Sequence, residues 1–168
     1  MTADDGARPR FDAAALAEYR DILERYPTRR AALMPTLWLA QREFGWLSEP
    51  AMDYVAELME LPLAWVTSVA SFYTMYWKKK PAKYHLQVCR SLSCQLRGSQ
   101  QLLRAIEDRL GIQDGEQTDD GLFGLEEVEC LASCGTAPVM QINNDAYHEN
   151  LSVQTCVSLI DRLRAEKK

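Results

Sequence analysis

Residues 84–94 read Y-H-L-Q-V-C-R-S-L-S-C and pass from a strand-like pattern into a loop that contains cysteines. Apolar and polar side chains alternate from Tyr84 to Val88, as they do in a half-buried β-strand. Cys89 follows directly, and Cys94 lies further along among serines. The segment therefore predicts a strand that ends in one cysteine and a loop that carries a second.

A second cysteine pair, Cys130 and Cys134, lies in C-L-A-S-C and follows a short strand predicted near residues 126–129. Both pairs are surrounded by small residues, which allow the backbone to curl so that its N–H groups point at sulfur. Thiolates in such loops are typical ligands of a metal ion or a metal cluster.

Three kinds of site can account for these four cysteines. Free cysteines are often simply buried apolar residues, but two matched pairs in loops do not suit that role. Structural zinc sites usually have two-residue gaps or histidines, whereas the gaps here contain four and three residues. A cluster of two bridged irons tolerates wider gaps. The spacing therefore favours a 2Fe–2S centre with zinc as the alternative, and the lack of a C-x-x-C motif disfavours a dithiol oxidoreductase.

The remaining cysteine and both histidines are interpreted as structural. Cys156 falls on a predicted helix one turn from Val153 and Ile160, which predicts a buried apolar role. His85 and His148 are predicted at a strand surface or edge and not as ligands. The sequence also has no Ser-His-Asp set, phosphate loop or dinucleotide fingerprint, so NADH binding and hydride chemistry are not expected on this chain alone.

The rest of the second half alternates between strand and helix patterns, which predicts a layered α/β arrangement. The predicted elements are a helix capped by Ser99 and closed by Gly111, a loop at 113–121, strands near 139–142 and 146–148 joined by a turn, and a last helix beginning at Ser152.

Residues 11–77 show apolar side chains at helical spacing and little that resembles a strand. Four helices with short connections are expected, as in an antiparallel bundle. Their predicted limits are a first helix ending at Pro27, a second from Thr28 to Gly45, a third capped by Ser48, and a fourth with Pro62 near its first turn. Pro35 lies inside the second pattern and predicts a kink or a later helix start.

Four aromatic residues close this helical half. Phe72 and Tyr73 are expected to pack in the core. Tyr76 and Trp77, which precede a run of lysines, are expected to form part of a surface for a partner, because aromatic residues are enriched at the centres of interfaces.

Three lysines at residues 78–80 followed by Pro81 indicate an exposed connector. We expect it to separate a helical domain, residues 1–80, from a second domain, residues 81–168. The first range holds 10 basic and 11 acidic residues and the second holds 9 and 13, so most of the net negative charge lies in the second domain.

The whole chain of 168 residues has a formal charge of −5, which argues against nucleic acid as a partner because binding to phosphates needs a basic face. No apolar run reaches the roughly 18 residues that a membrane span requires. Residues 1–10 lack the apolar segment of a secretory signal. The sequence therefore predicts a cytoplasmic protein without direct membrane insertion.

Several segments together resemble one known family. They are F-G-W-L-S-E-P-A-M at 44–52, A-S-F-Y-T-M-Y at 70–76, the stretch at 84–94, G-L-F-G-L-E-E-V-E-C-L-A-S-C-G-T-A-P at 121–138, and N-N-D-A-Y-H at 143–148. The family is the thioredoxin-like 2Fe–2S subunit of the NADH-dehydrogenase module of respiratory complex I, known as the E subunit of NADH-quinone oxidoreductase. Its relatives serve NAD-linked hydrogenases and formate dehydrogenases.

The resemblance implies an α+β chain in which an N-terminal helical bundle precedes a thioredoxin-like 2Fe–2S ferredoxin domain. It implies one 2Fe–2S cluster, with the four cysteines Cys89, Cys94, Cys130 and Cys134 as its ligands, one pair on each iron. It also implies the family's F subunit as a partner, which carries FMN, the NADH site and a 4Fe–4S cluster. The complex would hold the chain at the cytoplasmic side of the inner membrane, and a homodimer is one arrangement open to the isolated chain.

Two alternatives to a quinone-reducing complex follow from the same residues. The module can belong to an NAD-linked hydrogenase or formate dehydrogenase, because the distinction resides in the other subunits. In a different functional class, the metal site would serve only to fold the domain and to hold a neighbouring subunit during assembly.

Overall fold

The computed structural model describes residues 9–166. The chain forms two compact units and passes from the first to the second between Lys80 and Pro81. Among residues 9–166, no helix combines the length and the apolar character needed to cross a bilayer.

In its described part, residues 9–80, the first unit forms four helices, as the apolar periodicity predicts. They are α1 (Ala13–Arg25), α2 (Leu33–Phe44), α3 (Glu49–Met59) and α4 (Leu63–Phe72). Their apolar faces enclose one core, in which Leu37, Leu47, Val55, Met59 and Val66 are fully buried. The amphipathic stripes of the sequence therefore bury one face of each helix against the others.

The predicted ends of these helices are confirmed at Gly45 and Ser48. Gly45 ends α2 in the left-handed conformation, at φ 81°, and the Ser48 hydroxyl caps α3 by accepting from the Ala51 N–H group. Thr28 instead caps the preceding turn, where its hydroxyl accepts from the Ala31 N–H group. Helix α2 starts only at Leu33, so Pro35 lies in its first turn. The N–H groups of a first turn have no partner within the helix, so the lack of one at proline costs no hydrogen bond there.

The prediction for the aromatic residues after α4 is wrong in three of four positions. Phe72 is 78% exposed and Tyr73 is 36% exposed, whereas Tyr76 is fully buried and donates to the Met34 carbonyl oxygen at 2.8 Å. The helical period ends at Phe72, and the chain then turns back so that Tyr76 enters the core. Trp77 is half-buried, and its backbone N–H group donates to Gln41 Oε1 at 2.6 Å.

Between residues 81 and 166 the second unit is a four-stranded mixed sheet with three α-helices, which confirms the mixed α/β expectation. Its strands are β1 (Tyr84–Cys89), β2 (Phe123–Val128), β3 (Met140–Ile142) and β4 (Ala146–His148), in the spatial order β2-β1-β3-β4. The pair β1–β2 is parallel, and the pairs β1–β3 and β3–β4 are antiparallel.

Its helices are α5 (Leu92–Leu96), α6 (Ser99–Leu110) and α7 (Val153–Ala165). Side chains of α6 and α7 form a core with one face of the sheet, where Leu86, Ile106, Leu125 and Ile160 meet. Gly111 ends α6 at φ 71°, as predicted, and Ser152, the predicted first residue of α7, is the cap that precedes it. Cys156 is fully buried in this core, which confirms its apolar role.

Four local predictions need correction. Strand β2 starts at Phe123 and not near residue 126, because it pairs with β1 from its first residue. Helix α5 was not expected, so Cys94 lies in a short helix and not in the predicted loop. Helix α6 is capped by Gly98, with Ser99 as its first residue. His85 lies on the central strand β1 with its Nε2 atom 2.9 Å from the Glu126 carboxylate, and its side chain is only 13% exposed. His148 lies on the edge strand β4, as expected.

Candidate metal centre

The parallel pairing of β1 and β2 brings both cysteine loops to one edge of the sheet. Cys89 is the last residue of β1 and lies opposite Val128, the last residue of β2. Cys130 follows two residues later. Because parallel strands end at the same edge, the segment that leads from β1 into α5 with Cys94 and the loop that carries Cys134 leave the sheet side by side.

The first pair is sheltered from water. Cys89 and Cys94 are each 2% exposed and form a small apolar cluster with Ala137 and Val139. Burial raises the pKa of the Cys94 thiol to about 11, although the Val139 N–H group opposes this shift by donating to its sulfur. The same residue accepts at its carbonyl oxygen from the Cys89 N–H group, at 3.2 Å. Val139, the residue that precedes β3, thus contacts both residues of this pair.

The second pair is open to solvent. Cys130 and Cys134 are both exposed, and their sulfur atoms are 3.5 Å apart. The Ala132 N–H group donates to Cys130 Sγ at 3.3 Å from a backbone with φ +60°, a left-handed conformation that non-glycine residues rarely adopt. That hydrogen bond lowers the pKa of Cys130, whereas the sulfur–sulfur contact with Cys130 raises the pKa of Cys134.

Side chains of residues 91–93, where the chain enters α5, reach the second pair. Ser91 hydrogen-bonds to Cys130 and Ser93 hydrogen-bonds to Cys134, and each adds a smaller contribution that lowers the pKa of its thiol. Electrostatic repulsion from Cys89, by contrast, raises the pKa of Cys134. All four predicted residues therefore belong to one electrostatically connected group at the end of the sheet.

An exposed ion pair flanks this group. Arg90, next to Cys89, and Glu129, next to Cys130, are joined at 2.6 Å. Both side chains are more than half exposed, so the pair contributes little to stability. The pair is neutral as a whole and adds no net charge beside the thiols. Within residues 9–166, no set of three or more His, Cys, Asp or Glu side chains is grouped as a single metal ion would require.

Several contacts at this edge were not anticipated from the sequence. Ser91 and Ser93 stand out in the sequence only as small residues. Their hydrogen bonds to the opposite cysteine pair depend on the pairing of β1 with β2. The Ala132 N–H bond to Cys130 is of the kind that the small residues predict, but the left-handed backbone that directs it occurs at a residue type that gives no signal of it. Cys156 lies in the core beneath α7, in a different cluster from the four thiols.

Comparison with known proteins gives matches over most of the chain. The family model for the thioredoxin-like 2Fe-2S ferredoxin matches residues 19–164. The E subunit of NADH-quinone oxidoreductase from Rickettsia bellii is 45% identical over 157 residues, which cover 92% of this chain and 93% of the relative. NADH-quinone oxidoreductase subunit 2 of Thermus thermophilus is 43% identical over 155 residues, which cover 89% and 86%.

A solved structure shares the fold at lower sequence identity. The air-oxidised NAD+-reducing NiFe hydrogenase superposes with a TM-score of 0.70 at 22% identity, over 80% of this chain. The match spans 23% of the hydrogenase chain, so the likeness concerns the fold of one part of that protein.

Proposed function

The chain belongs to the thioredoxin-like 2Fe-2S ferredoxin family, and from this premise we propose that Cys89, Cys94, Cys130 and Cys134 hold its 2Fe–2S cluster. The chain is an electron-transfer subunit of an NADH-quinone oxidoreductase, as its relatives over nearly the whole length are named. When bound, the cluster supplies reversible one-electron transfer.

The donor set suits this group. Four thiols gather at one edge of the sheet, and Cys-ligated clusters of this type take four thiolates. The Ala132 N–H group at Cys130 Sγ and the Val139 N–H group at Cys94 Sγ are the kind of donors that stabilise thiolate charge. This convergence of two distant cysteine pairs is the observation that carries the proposal.

The two cysteine pairs have different surroundings and therefore different roles in the proposed site. Cys89 and Cys94 lie in the apolar cluster with Ala137 and Val139, which excludes water from the inner side of the site. Cys130 and Cys134 face solvent, so the outer side is open to a redox partner. The rate of electron transfer falls steeply with distance. A partner should therefore exchange electrons from the exposed side, where Cys130 and Cys134 lie.

We further propose that the partner is the flavin-bearing F subunit, which binds FMN and NADH. In support, Leu92 and Leu96 on α5 are 71% and 78% exposed and lie one helical turn apart beside Cys94. Large exposed apolar side chains of this kind often mark a contact with another protein. In that assembly the chain would be peripheral on the cytoplasmic side of the membrane. The hydrogenase likeness extends to the fold alone and does not favour that alternative.

The ligand assignment is tested by iron and acid-labile sulfide analysis of anaerobically purified chain. We expect two irons and two sulfides per chain, together with a visible spectrum that bleaches on reduction. Cys130→Ser should lose or perturb this spectrum, because it removes a proposed ligand. Cys156→Ser is the matched control and should keep it, since that thiol lies in the core. One zinc per chain without sulfide would contradict the proposal and favour the structural role.

The partner is tested separately by purifying the native complex through a tag on this chain. A co-purifying protein with bound FMN and NADH-oxidising activity is the expected result. Recovery of a hydrogenase or a formate dehydrogenase instead would contradict the assignment to a quinone-reducing complex, while leaving the ligand assignment intact.

A further inference from the structure

A single carboxylate holds both flanks of Cys134. Glu149, directly after β4, accepts at Oε1 from the hydroxyl groups of Ser133 and Thr136, the latter at 2.8 Å. The two hydroxyl oxygens are 2.6 Å apart. Ser133 immediately precedes Cys134 and Thr136 follows it by two residues, so the contact spans the short turn that carries the thiol.

We propose that Glu149 is a positioning residue for the metal centre, which holds the loop of residues 130–136 in the conformation that presents Cys130 and Cys134 to iron. This inference rests on the proposed function, because it concerns the conformation of proposed ligands. It assigns to Glu149 no contact with the metal.

The loop needs such a restraint because little regular structure holds it. Its regular structure is one 3-10 turn, Cys134–Thr136, and Ala132 is left-handed at φ +60°. Backbone strain of that kind persists only where surrounding contacts enforce it. Both cysteines of the loop are exposed, so packing around their side chains does not supply the enforcement.

The backbone bonds to this loop lie on its far flank. The Asn150 N–H group donates to the Thr136 carbonyl oxygen at 2.7 Å, and the Leu151 N–H group donates to that of Pro138 at 3.1 Å. Both bonds come from the segment that follows Glu149. The Glu149 side chain adds a contact to Ser133, which lies between the two cysteines in the sequence.

The charge of Glu149 strengthens the contact. Hydrogen bonds from a hydroxyl to a carboxylate are shorter and stronger than those between neutral groups. The hydroxyls of Ser133 and Thr136 lower the pKa of Glu149, so the carboxylate is ionised at neutral pH and acts as an acceptor for both. Outer residues that orient metal ligands in this way commonly change metal retention when they are removed.

The test uses the full chain loaded with iron and sulfide, with loss of the visible spectrum to an iron chelator as the readout. Glu149→Ala should release iron about 10-fold faster than the natural chain, the lower end of the effect of losing a ligand-orienting partner. Glu149→Gln keeps an acceptor oxygen and should fall between the two. Asp145→Ala removes a carboxylate from the same hairpin, and this control should behave like the natural chain.

A second set of variants separates positioning from a general effect on folding. Ser133→Ala combined with Thr136→Val removes both hydroxyls and should accelerate release as Glu149→Ala does. Adding Glu149→Ala to that pair should then change nothing further, because the carboxylate has lost the groups it holds. The visible circular dichroism of the loaded protein should change in all these variants but not in Asp145→Ala.

Equal release rates in the natural chain and Glu149→Ala would overturn the inference, as would a full additional effect of Glu149→Ala when both hydroxyls are already absent. These outcomes leave the proposed function standing, since they require a chain that binds iron and sulfide. A natural chain without sulfide would instead refute the proposed function.

Discussion

At the scale of single residues, neighbouring thiols differ because water reaches them unequally. Burial raises the pKa of Cys94 to about 11 and that of Cys156 to about 11, since an apolar environment disfavours the charged form. Cys130 is exposed and receives a backbone N–H bond, and its pKa is lowered. The site therefore joins a sheltered pair to an exposed pair, in which the pKa of Cys130 is lowered and that of Cys134 is raised.

His148 provides a pH-dependent prediction at this scale. Its ring lines a cavity of about 430 Å³ together with Arg162, and burial, followed by the charge of Arg162, lowers its pKa. The unfolded chain binds a proton on this ring near the ordinary pKa of about 6.5, before the folded chain does. Stability contributed by the neutral ring is thus full above that pH and declines as the pH falls below it.

The prediction is checked by denaturant unfolding of the natural chain and of His148→Gln between pH 7.5 and pH 5.5. The natural chain should lose more free energy of unfolding over this range than the variant, because glutamine has no proton to gain. Parallel pH profiles for the two proteins would show that folding does not perturb this ring. An NMR titration of the His148 ring gives the direction of the shift directly.

At the scale of elements, α7 depends on its first turn. The Ser152 hydroxyl accepts from the Thr155 N–H group at 3.1 Å, and the Thr155 hydroxyl accepts from the Ser152 N–H group at 2.9 Å. This reciprocal cap satisfies two groups that a helix end leaves unpaired. Cys156 and Ile160 of this helix are part of the core. A weaker helix should therefore lower the free energy of unfolding of the whole second unit.

Ser152→Ala should therefore lower the free energy of unfolding by about 1 kcal/mol, the usual cost of losing such a cap. The measurement is equilibrium unfolding by urea, followed by circular dichroism. Ser158→Ala, an exposed position on the same helix, is the control and should have little effect. A loss of similar size in both variants would show that the first turn has no special role.

At the scale of the whole molecule, the division at Lys80 and Pro81 raises the question of independent folding. Residues 81–168 contain their own core, their own sheet and all four proposed ligands. A range with its own core is expected to fold alone. We therefore predict that residues 81–168, expressed by themselves, unfold in one cooperative transition and bind two irons and two sulfides.

Thermal unfolding and iron analysis of that fragment test this prediction, with the full chain as the reference. An unfolded fragment that gains structure only when residues 1–80 are added would contradict it. The fragment carries most of the net negative charge of the chain, with 13 acidic and 9 basic residues, which favours its solubility in the assay.

Much of this protein follows from its sequence alone. Helical periodicity predicted α1 to α4, alternation predicted β1, and the spacing of two cysteine pairs indicated a thiolate site. Each of these signals depends only on residues close together in the sequence, so it can be read without knowledge of the fold. The local signals failed where an element ended unexpectedly, as at Phe72, or where a short helix such as α5 had too few residues to show a period.

The tertiary structure decided which distant residues meet. The parallel register of β1 and β2 joins the two cysteine pairs, the strand order makes β1 central and covers His85, and the return of the chain after α4 buries Tyr76. The contact of Glu149 with Ser133 likewise spans 16 residues. Such contacts depend on strand order and register, which are selected by the packing of the whole core and not by the spacing of neighbouring residues.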